Sequence, residues 1–481
     1  MDDWTQTLEA GPLLAIAAGA IALILLLVIK FKLHAFLTLV IVAALTALVA
    51  GVPTGAIAEL LVTSFGTTLG SVALLVGLGA MLGRLVESSG GARVLADRMV
   101  DVFGEKRAPF ALGLASLIMG FPIFFDAGLI VMLPIVFAVA RRMGGKSMLL
   151  YGISAAAAFS VMHVFLPPHP GPVSATELLG ADLGIVLLAG LVIVFPLWYV
   201  SGYLWAKYVN ARIPLPVLSL FGDEKDDVQA GNPPKASTVI AVLAVPLVLI
   251  LLNTGLTSLS SVGVVDGDAT WVQALVLVGT SGIALLISVL VAAVVLGRAR
   301  GVSGSALEKV LESALGPICS VVLITGAGGM FGGVLRASGI GDALADVLGD
   351  LGLPVIVAAW LIAAILRLAQ GSATVALVTA AGLIAPAVAL ADLNPVQLAA
   401  VVLATAAGSV FAGHVNDSGF WLVGRLMGMD VKTTLRVWTV QQAVESVLGF
   451  AAALLVFGVG ALLEPFPARA ATRPAPPWHG P

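Results

Sequence analysis

The sequence predicts an all-α polytopic membrane protein. Of its 481 residues, 59% are hydrophobic and only 11% are charged, and the mean hydropathy is +1.09. Soluble domains carry about 25% charged residues, so this composition is typical of a protein that folds in lipid. We expect about ten full transmembrane helices, because that many apolar runs approach the ~20 residues that cross a bilayer. The runs lie near 12–29, 33–52, 69–85, 149–166, 183–205, 239–256, 271–296, 315–335, 398–412 and 444–463.

The distribution of charge predicts the orientation of the helices. Lys30 and Lys32 follow the first run, whereas the segment before it is acidic, so the positive-inside rule places the N-terminus outside and the first loop in the cytoplasm. We divide the chain into N-terminal helices (1–68), a first repeat (69–206) with a hairpin at 108–140, a cytoplasmic linker (207–238), connecting helices (239–314), a second repeat (315–463) with a hairpin at 354–390, and a disordered tail (464–481).

Two longer apolar stretches contain helix breakers. Ala108–Ala140 is broken near Gly120 and Pro122 and has basic residues on both flanks, and Pro354–Leu390 is broken at the sequence GSAT. Inside a membrane, broken backbone persists only where protein or water satisfies the freed N–H and C=O groups. The stretches therefore predict two broken helical hairpins beside a cavity. The sequence leaves open whether each hairpin is re-entrant or fully spanning.

The two halves of the chain share a pattern. The sequence LVESSGGARVLAD (Leu85–Asp97) matches LRASGIGDALAD (Leu335–Asp346). Further along, Gly120 falls over Gly371, Asp126 over Leu377 and His163 over His414. Because the predicted helices before these segments run in opposite directions, the repeats are inverted. Inverted repeats with corresponding helix breaks predict an alternating-access secondary transporter whose site lies near the membrane midplane.

The first half supplies candidate proton-coupling residues. Asp126 is an acid inside an apolar hairpin, where function is the default hypothesis, although a cap or polar anchor at the turn is an alternative. His163 and His169 flank a Pro-Pro break, and histidine suits either a proton relay or hydroxyl recognition. We assign Asp126 and His163 to proton coupling and His169 to substrate binding.

The second half supplies candidate substrate-binding residues. The hairpin tip contains Gly371, Ser372 and Thr374, whose freed N–H groups and hydroxyls favour an anion. Arg367 precedes the tip and suits a carboxylate, with an acid partner or an interfacial position as alternatives. The remaining candidates for hydroxyl recognition are His414, Asn416, Asp417 and Ser418. For the last three, coordination of a cation and helix capping are the alternatives.

Several functional classes are excluded. The net charge of −3 is spread through the loops, so no basic surface for nucleic acid is expected. No cluster of Cys, His and Glu completes a metal site, and we expect no metal and no cofactor. Ser160 and His163 lie three residues apart, but no GxSxG element accompanies them, which argues against a hydrolase. Inverted breaks favour a carrier over a channel.

Four motifs then carry a resemblance to a known family. FPIFFDAG, SVMHVFLPPHPGPVSAT, RLAQGSATVALVTAAGLIAP and GHVNDSGFWLV, in this order, resemble the gluconate permease family of gluconate:proton symporters within the larger ion transporter superfamily. The resemblance covers essentially the whole chain. It implies a multi-pass transporter of the bacterial inner membrane that takes up gluconate or a related sugar acid with inward proton flow. The family commonly has Glu at the position of Asp126.

The resemblance also allows other substrates, another coupling ion and an oligomeric assembly. The family includes carriers of other hydroxy acids and of D-serine, and members of the superfamily often use sodium and often form homodimers. We therefore expect a sugar-acid anion, a proton and the lipid bilayer as partners, with a homodimer as the assembly that the superfamily suggests. The alternative is a sodium-coupled carrier of another small hydroxy acid or D-serine.

Overall fold

The computed structural model describes residues 4–142, 148–213, 215, 233–261, 263–343, 353–414 and 417–463. Within these ranges it contains helices and no β-strand, and eight of the helices are long and apolar enough to span a membrane. The prediction of an all-α polytopic membrane protein is thus confirmed. Most of the predicted linker 207–238 and all of the predicted tail 464–481 lie outside the described residues.

We number the helices in chain order. Those of the first half are α1 (Ala10–Leu25), α2 (Ala35–Val49), α3 (Thr54–Ser88), α4 (Gly91–Phe103), α5 (Ala108–Met119), α6 (Phe125–Arg142), α7 (Met148–Phe165), α8 (Pro170–Leu178), α9 (Leu183–Leu197) and α10 (Trp205–Arg212). Those of the second half are α11 (Ala236–Ser261), α12 (Thr270–Gly279), α13 (Ser281–Ala292), α14 (Gly304–Ser313), α15 (Leu315–Ala337), α16 (Val355–Gln370), α17 (Ala373–Leu390), α18 (Pro395–Ser409), α19 (Ser418–Leu426), α20 (Val431–Thr434) and α21 (Val440–Leu462).

Two of the predicted apolar runs do not coincide with single helices. The run at 69–85 is the second part of α3, which begins at Thr54, so the boundary drawn at 68 and 69 falls inside one continuous helix. The first turns of α3 carry Glu59 and several hydroxyls, which lower hydropathy without breaking a helix. The run at 271–296 is divided, because Thr280 has extended backbone and separates α12 from α13.

Small residues hold α3 against α15. A Cβ atom placed on Gly326, Gly329 or Gly333 of α15 would collide with Phe65, Thr68 or Ser64 of α3, respectively. These glycines recur every three or four residues and therefore lie on one face of α15. Without a hydrophobic driving force between helices in lipid, such small residues allow the close approach that provides packing energy.

The predicted helix breaks are present. Between α5 and α6 the backbone leaves the helix from Gly120 to Phe124, and between α16 and α17 it does so at Gly371 and Ser372. Two further breaks separate α7 from α8 and α18 from α19. In both halves, therefore, a broken pair of helices is followed by a second helix–break–helix element. The re-entrant course of the hairpins stays a prediction.

Candidate functional site at the helix breaks

A cavity of about 680 Å³ lies where the four breaks converge. This volume is within the range of about 300–1,000 Å³ that small-molecule sites occupy. We call it the central cavity and define it by its polar lining, which consists of Arg84, Glu87, Asp126, Ser160, His163, Ser313, Ser320, Arg367, Ser372, Thr374, Asp417 and Gln442. Both halves of the chain thus contribute side chains to one site.

Arg367 connects the hairpin tip to the start of α19. The guanidinium is 2% exposed; Nη2 donates to Asp417 Oδ2 at 2.5 Å, and Nη1 donates to the carbonyl of Gly371. Asp417 also accepts a hydrogen bond from the N–H of Gly419 at 2.9 Å and so caps α19. Of the two alternatives for Arg367, the acid partner is the one observed. A buried ion pair needs such additional hydrogen bonds to offset its desolvation.

The hairpin tip presents the N-terminus of α17 to the cavity. Gly371 has a φ of +80°, a left-handed conformation that glycine adopts without a steric penalty, and it ends α16. Ser372 caps α17 by accepting from the N–H of Val375 at 3.4 Å. Ser372 and Thr374 both line the cavity. Hydroxyls and the positive end of the helix dipole therefore meet at this wall.

Two histidines form a directed hydrogen-bond chain behind Thr374. Thr374 Oγ1 lies 3.4 Å from His163 Nε2, His163 Nδ1 lies 3.2 Å from His169 Nδ1, and His169 Nε2 lies 2.7 Å from the carbonyl of Gly120. Because a carbonyl can only accept, His169 carries its hydrogen on Nε2. With both rings neutral, His163 then donates to His169 and accepts from Thr374. The chain links the hairpin break of one half to that of the other.

Asp126 faces the cavity without a counter-charge. It is the second residue of α6, its side chain is exposed to the cavity, and no hydrogen bond or ion pair to it occurs among the described residues. The two arginines of the cavity wall are both engaged, Arg84 with Glu87 at 2.7 Å and Arg367 with Asp417. Asp126 is thus an unpaired acid on the wall of the central cavity.

A second acid lies directly behind the cavity wall. Glu445 of α21 is 0% exposed, and it accepts from Ser160 Oγ at 3.0 Å and from Gln441 Nε2 at 2.9 Å. Gln442 Nε2 lies 2.9 Å from Ser160 Oγ. Glu445 was not among the residues predicted for the site, because the run at 444–463 was considered only as an apolar transmembrane segment. The sequence feature that indicates this group is an intramembrane acid with glutamines three and four residues before it, all on one face of the helix.

Two predicted site residues, His169 and His414, lie outside the lining of the cavity. His169 lies behind His163 with both ring nitrogens engaged, so its contact in this structure is with protein. His414 Nε2 donates to the carbonyl of Leu368 at 3.0 Å, outside the cavity lining. Asn416 lies outside the described residues, and Ser418 is described only as the first residue of α19. Their predicted roles in substrate binding stay predictions.

The described part of the chain can be compared with the requirements of a metal site and of a hydrolase. It contains no group of three or more His, Cys, Asp and Glu side chains that would hold a metal ion. Ser160, the candidate nucleophile of the hydrolase alternative, donates to Glu445.

Apolar helices whose breaks meet at a polar cavity define a membrane transport protein. A model of the GntP family permeases matches residues 11–459 of the chain. The chain is 39% identical to the inner membrane permease YgbN of Escherichia coli K12 over 461 residues, which are 94% of this chain and 99% of that protein. It is 37% identical to a gluconate permease of Pseudomonas aeruginosa over 437 residues, which are 90% of this chain and 95% of that protein.

Among solved structures, the YdaH transporter of Alcanivorax borkumensis has a similar fold. The TM-score is 0.63 at 17% identity, over 90% of this chain and 100% of that one. The chain belongs to the GntP family of permeases, as the four sequence motifs indicated. It is a multi-pass protein of the inner membrane.

Proposed function

We propose that this permease takes up gluconate or a related sugar acid together with a proton. The substrate class is supported by the 37% identity to the gluconate permease of Pseudomonas aeruginosa. Proton coupling is supported by one observation, the unpaired Asp126 in a cavity whose two arginines are already engaged. An anion that enters this cavity meets a net negative wall unless a proton neutralises Asp126.

The substrate carboxylate binds at the first turn of α17. There the hydroxyl of Ser372 and the N-terminus of the helix face the cavity, a combination that suits an anion. The hydroxyl of Thr374 joins them when it turns its hydrogen from His163 to the substrate. Arg367 supports this wall from behind, since its hydrogen bond to the carbonyl of Gly371 fixes the tip. Other polar side chains of the cavity lining, among them Ser160, His163, Asp417 and Gln442, bind the hydroxyls of a sugar acid.

Protonation couples the two ligands through their charges. A proton on Asp126 removes the repulsion between the carboxylate and the anion, so each ligand raises the affinity for the other. His163 is the second candidate carrier, because it contacts both Thr374 and the cavity. A proton there would place positive charge beside the bound anion.

The cavity opens toward the cytoplasm in this conformation. It reaches the surface at Arg84, whose side chain is 42% exposed and donates to Ser313 at the end of α14. Arg298 and Arg300 precede α14, and the positive-inside rule predicts a cytoplasmic position for this segment. This geometry corresponds to the substrate-release state of an importer.

The order of the helix breaks supports the inverted-repeat mechanism. Asp126 is the second residue of α6 and Thr374 the second residue of α17, while His169 and Asp417 occupy the N-cap positions of α8 and α19. Counted from the helix starts, Thr374 is therefore the counterpart of Asp126, three positions before Leu377. Equivalent positions of the two halves face one cavity, as alternating access between two repeats requires.

Transport in proteoliposomes tests the proposal. Labelled gluconate should accumulate when an inward pH gradient is imposed, and collapse of that gradient should abolish accumulation. A gradient of one pH unit corresponds to about tenfold accumulation for each coupled proton. Accumulation that follows a sodium gradient at equal pH would support the sodium-coupled alternative instead, and a panel of aldonates, glycerate and D-serine identifies the substrate.

The variant Asp126→Asn tests the proton site. It should retain gluconate exchange, which needs no net proton movement, while the accumulation ratio falls about tenfold in a gradient of one pH unit. The control Asp101→Asn removes the same charge from the exposed face of α4 and should behave as the wild type. Wild-type accumulation by Asp126→Asn would remove this residue from coupling.

A further inference from the structure

We propose that Glu445 is a second proton-binding site of this transporter, connected to the central cavity through Ser160 and Gln442. The proposal rests on the proton-coupled function above and adds a residue to it. Ser160 and Gln442 both line the cavity, and each is hydrogen-bonded to Glu445 and to the other. Glu445 itself has no exposed surface. A proton that reaches the cavity needs to cross only one hydroxyl to arrive at the carboxyl.

No cation among the described residues forms an ion pair with Glu445. Its hydrogen-bond partners in the described chain are the neutral groups of Ser160, Gln441 and Gln442. An ionised carboxylate buried without a counter-charge carries a large desolvation penalty, and binding a proton removes that penalty. Arg367, an arginine of the cavity wall, is already paired with Asp417.

The elements packed against α21 carry few charged side chains. The helices α9 and α18 carry no charged side chain along their length. The titratable and charged side chains on the other surrounding elements are Tyr151 and His163 on α7, Arg367 on α16, Tyr199 and Tyr203 after α9, Arg436 before α21, and Asp417 across the cavity.

The hydrogen-bond network accommodates both protonation states. Gln442 Nε2 has two hydrogens but three acceptors within reach, namely Ser160 Oγ at 2.9 Å, Gln441 Oε1 at 2.9 Å and Glu445 Oε2 at 3.3 Å. With Glu445 ionised, Ser160 donates to Oε1 and Gln441 donates to Oε2. With Glu445 protonated on Oε1, the carboxyl donates to Ser160 Oγ, which still accepts from Gln442 and is free to turn its own hydrogen to the cavity.

The position of the network links it to the substrate site. Ser160 and His163 are three residues apart on α7 and therefore share one face of that helix, and both line the cavity. A negative charge on Glu445 lies behind the wall that an anion approaches. Its neutralisation by a proton favours the anion, and by thermodynamic reciprocity the bound anion favours the proton.

Three glutamate variants in proteoliposomes test the proposal. Glu445→Gln keeps the size of the side chain but binds no proton. We expect it to exchange labelled gluconate within about twofold of the wild type, while its accumulation ratio in a gradient of one pH unit falls about tenfold, the contribution of one coupled proton. Glu445→Asp retains a carboxyl and should recover most of the accumulation. Glu308→Gln, on the exposed side of α14, is the matched control and should equal the wild type.

The outcomes separate this proposal from the function on which it rests. Absence of pH-driven gluconate accumulation in the wild type would refute proton-coupled gluconate uptake itself. Normal accumulation by Glu445→Gln, with a wild type that responds to the pH gradient, would overturn only the second proton site. Loss of gluconate exchange together with accumulation in Glu445→Gln would also overturn it, because the network would then hold the structure together or bind substrate.

Discussion

Arg367 donates to Asp417 Oδ2 at 2.5 Å and so ties the hairpin tip before α17 to the cap of α19. The first half of the chain makes the corresponding connection with another residue. His169, at the N-cap position of α8, donates from Nε2 to the carbonyl of Gly120 in the break before α6. Each half thus fixes its hairpin break to the cap of its second broken helix, once by an ion pair and once by a histidine.

Removal of the Arg367 charge should destabilise the protein and stop transport. Arg367→Gln leaves Asp417 buried without its partner, for which a loss of about 3–5 kcal/mol in the free energy of unfolding is typical. Thermal unfolding in detergent measures the first effect and gluconate exchange in proteoliposomes the second. The double variant Arg367→Gln with Asp417→Asn should recover much of the stability without recovering transport. A single variant as stable as the wild type would contradict the importance of this ion pair.

Thr374 should contribute to substrate affinity through its hydroxyl. Thr374→Val removes the hydrogen bond to His163 and one hydroxyl from the cavity wall. We expect a loss of about 1 kcal/mol, which is about fivefold in gluconate affinity. Thr374→Ser keeps the hydroxyl and serves as the control. Calorimetric titration of the purified protein with gluconate measures both, and equal affinities for the two variants would contradict the assigned role.

Close packing of α3 on the first hairpin break should be essential. A Cβ atom on Gly83 would collide with the carbonyl oxygen of Pro122, whereas one on Gly77 of the same helix meets no atom within 4 Å. We expect Gly83→Ala to cost about 1–3 kcal/mol by overpacking and to lower gluconate uptake. Gly77→Ala should be tolerated. Thermal unfolding and gluconate uptake are compared between the two variants. Equal stability and equal uptake would show that the backbone at Pro122 accommodates the added Cβ atom without strain.

The helix breaks could be predicted from the sequence because their cause is local. Glycine and proline at Gly120, Pro122 and Gly371 disrupt helical hydrogen bonding wherever they lie in an apolar run, and the structure has breaks there. The full length of α3 could not be predicted from hydropathy. Polar residues such as Glu59 lower the mean hydropathy of its first turns, but nothing in them ends a helix.

The site was less predictable, since it depends on contacts between distant segments. Asp126 was predicted as a site residue because it is an acid inside an apolar run. Its counterpart in the second half was placed at Leu377, because matching the sequences ignores that the two breaks differ in length. Counting from the helix starts gives Thr374. The partner of Arg367 was open until the fold brought Asp417 to it. Glu445 was missed, because hydropathy averages over a run and conceals one acid whose neutral partners come partly from another helix.

Proton movement that accompanies gluconate tests the central claim most directly. Gluconate added to the outside of weakly buffered proteoliposomes, with a pH indicator in the external medium, should make that medium more alkaline as protons enter with the anion. A proton-conducting uncoupler should abolish the signal, and the Asp126→Asn variant should reduce it. Gluconate uptake with no change in external pH, or uptake that requires sodium, would contradict proton-coupled transport.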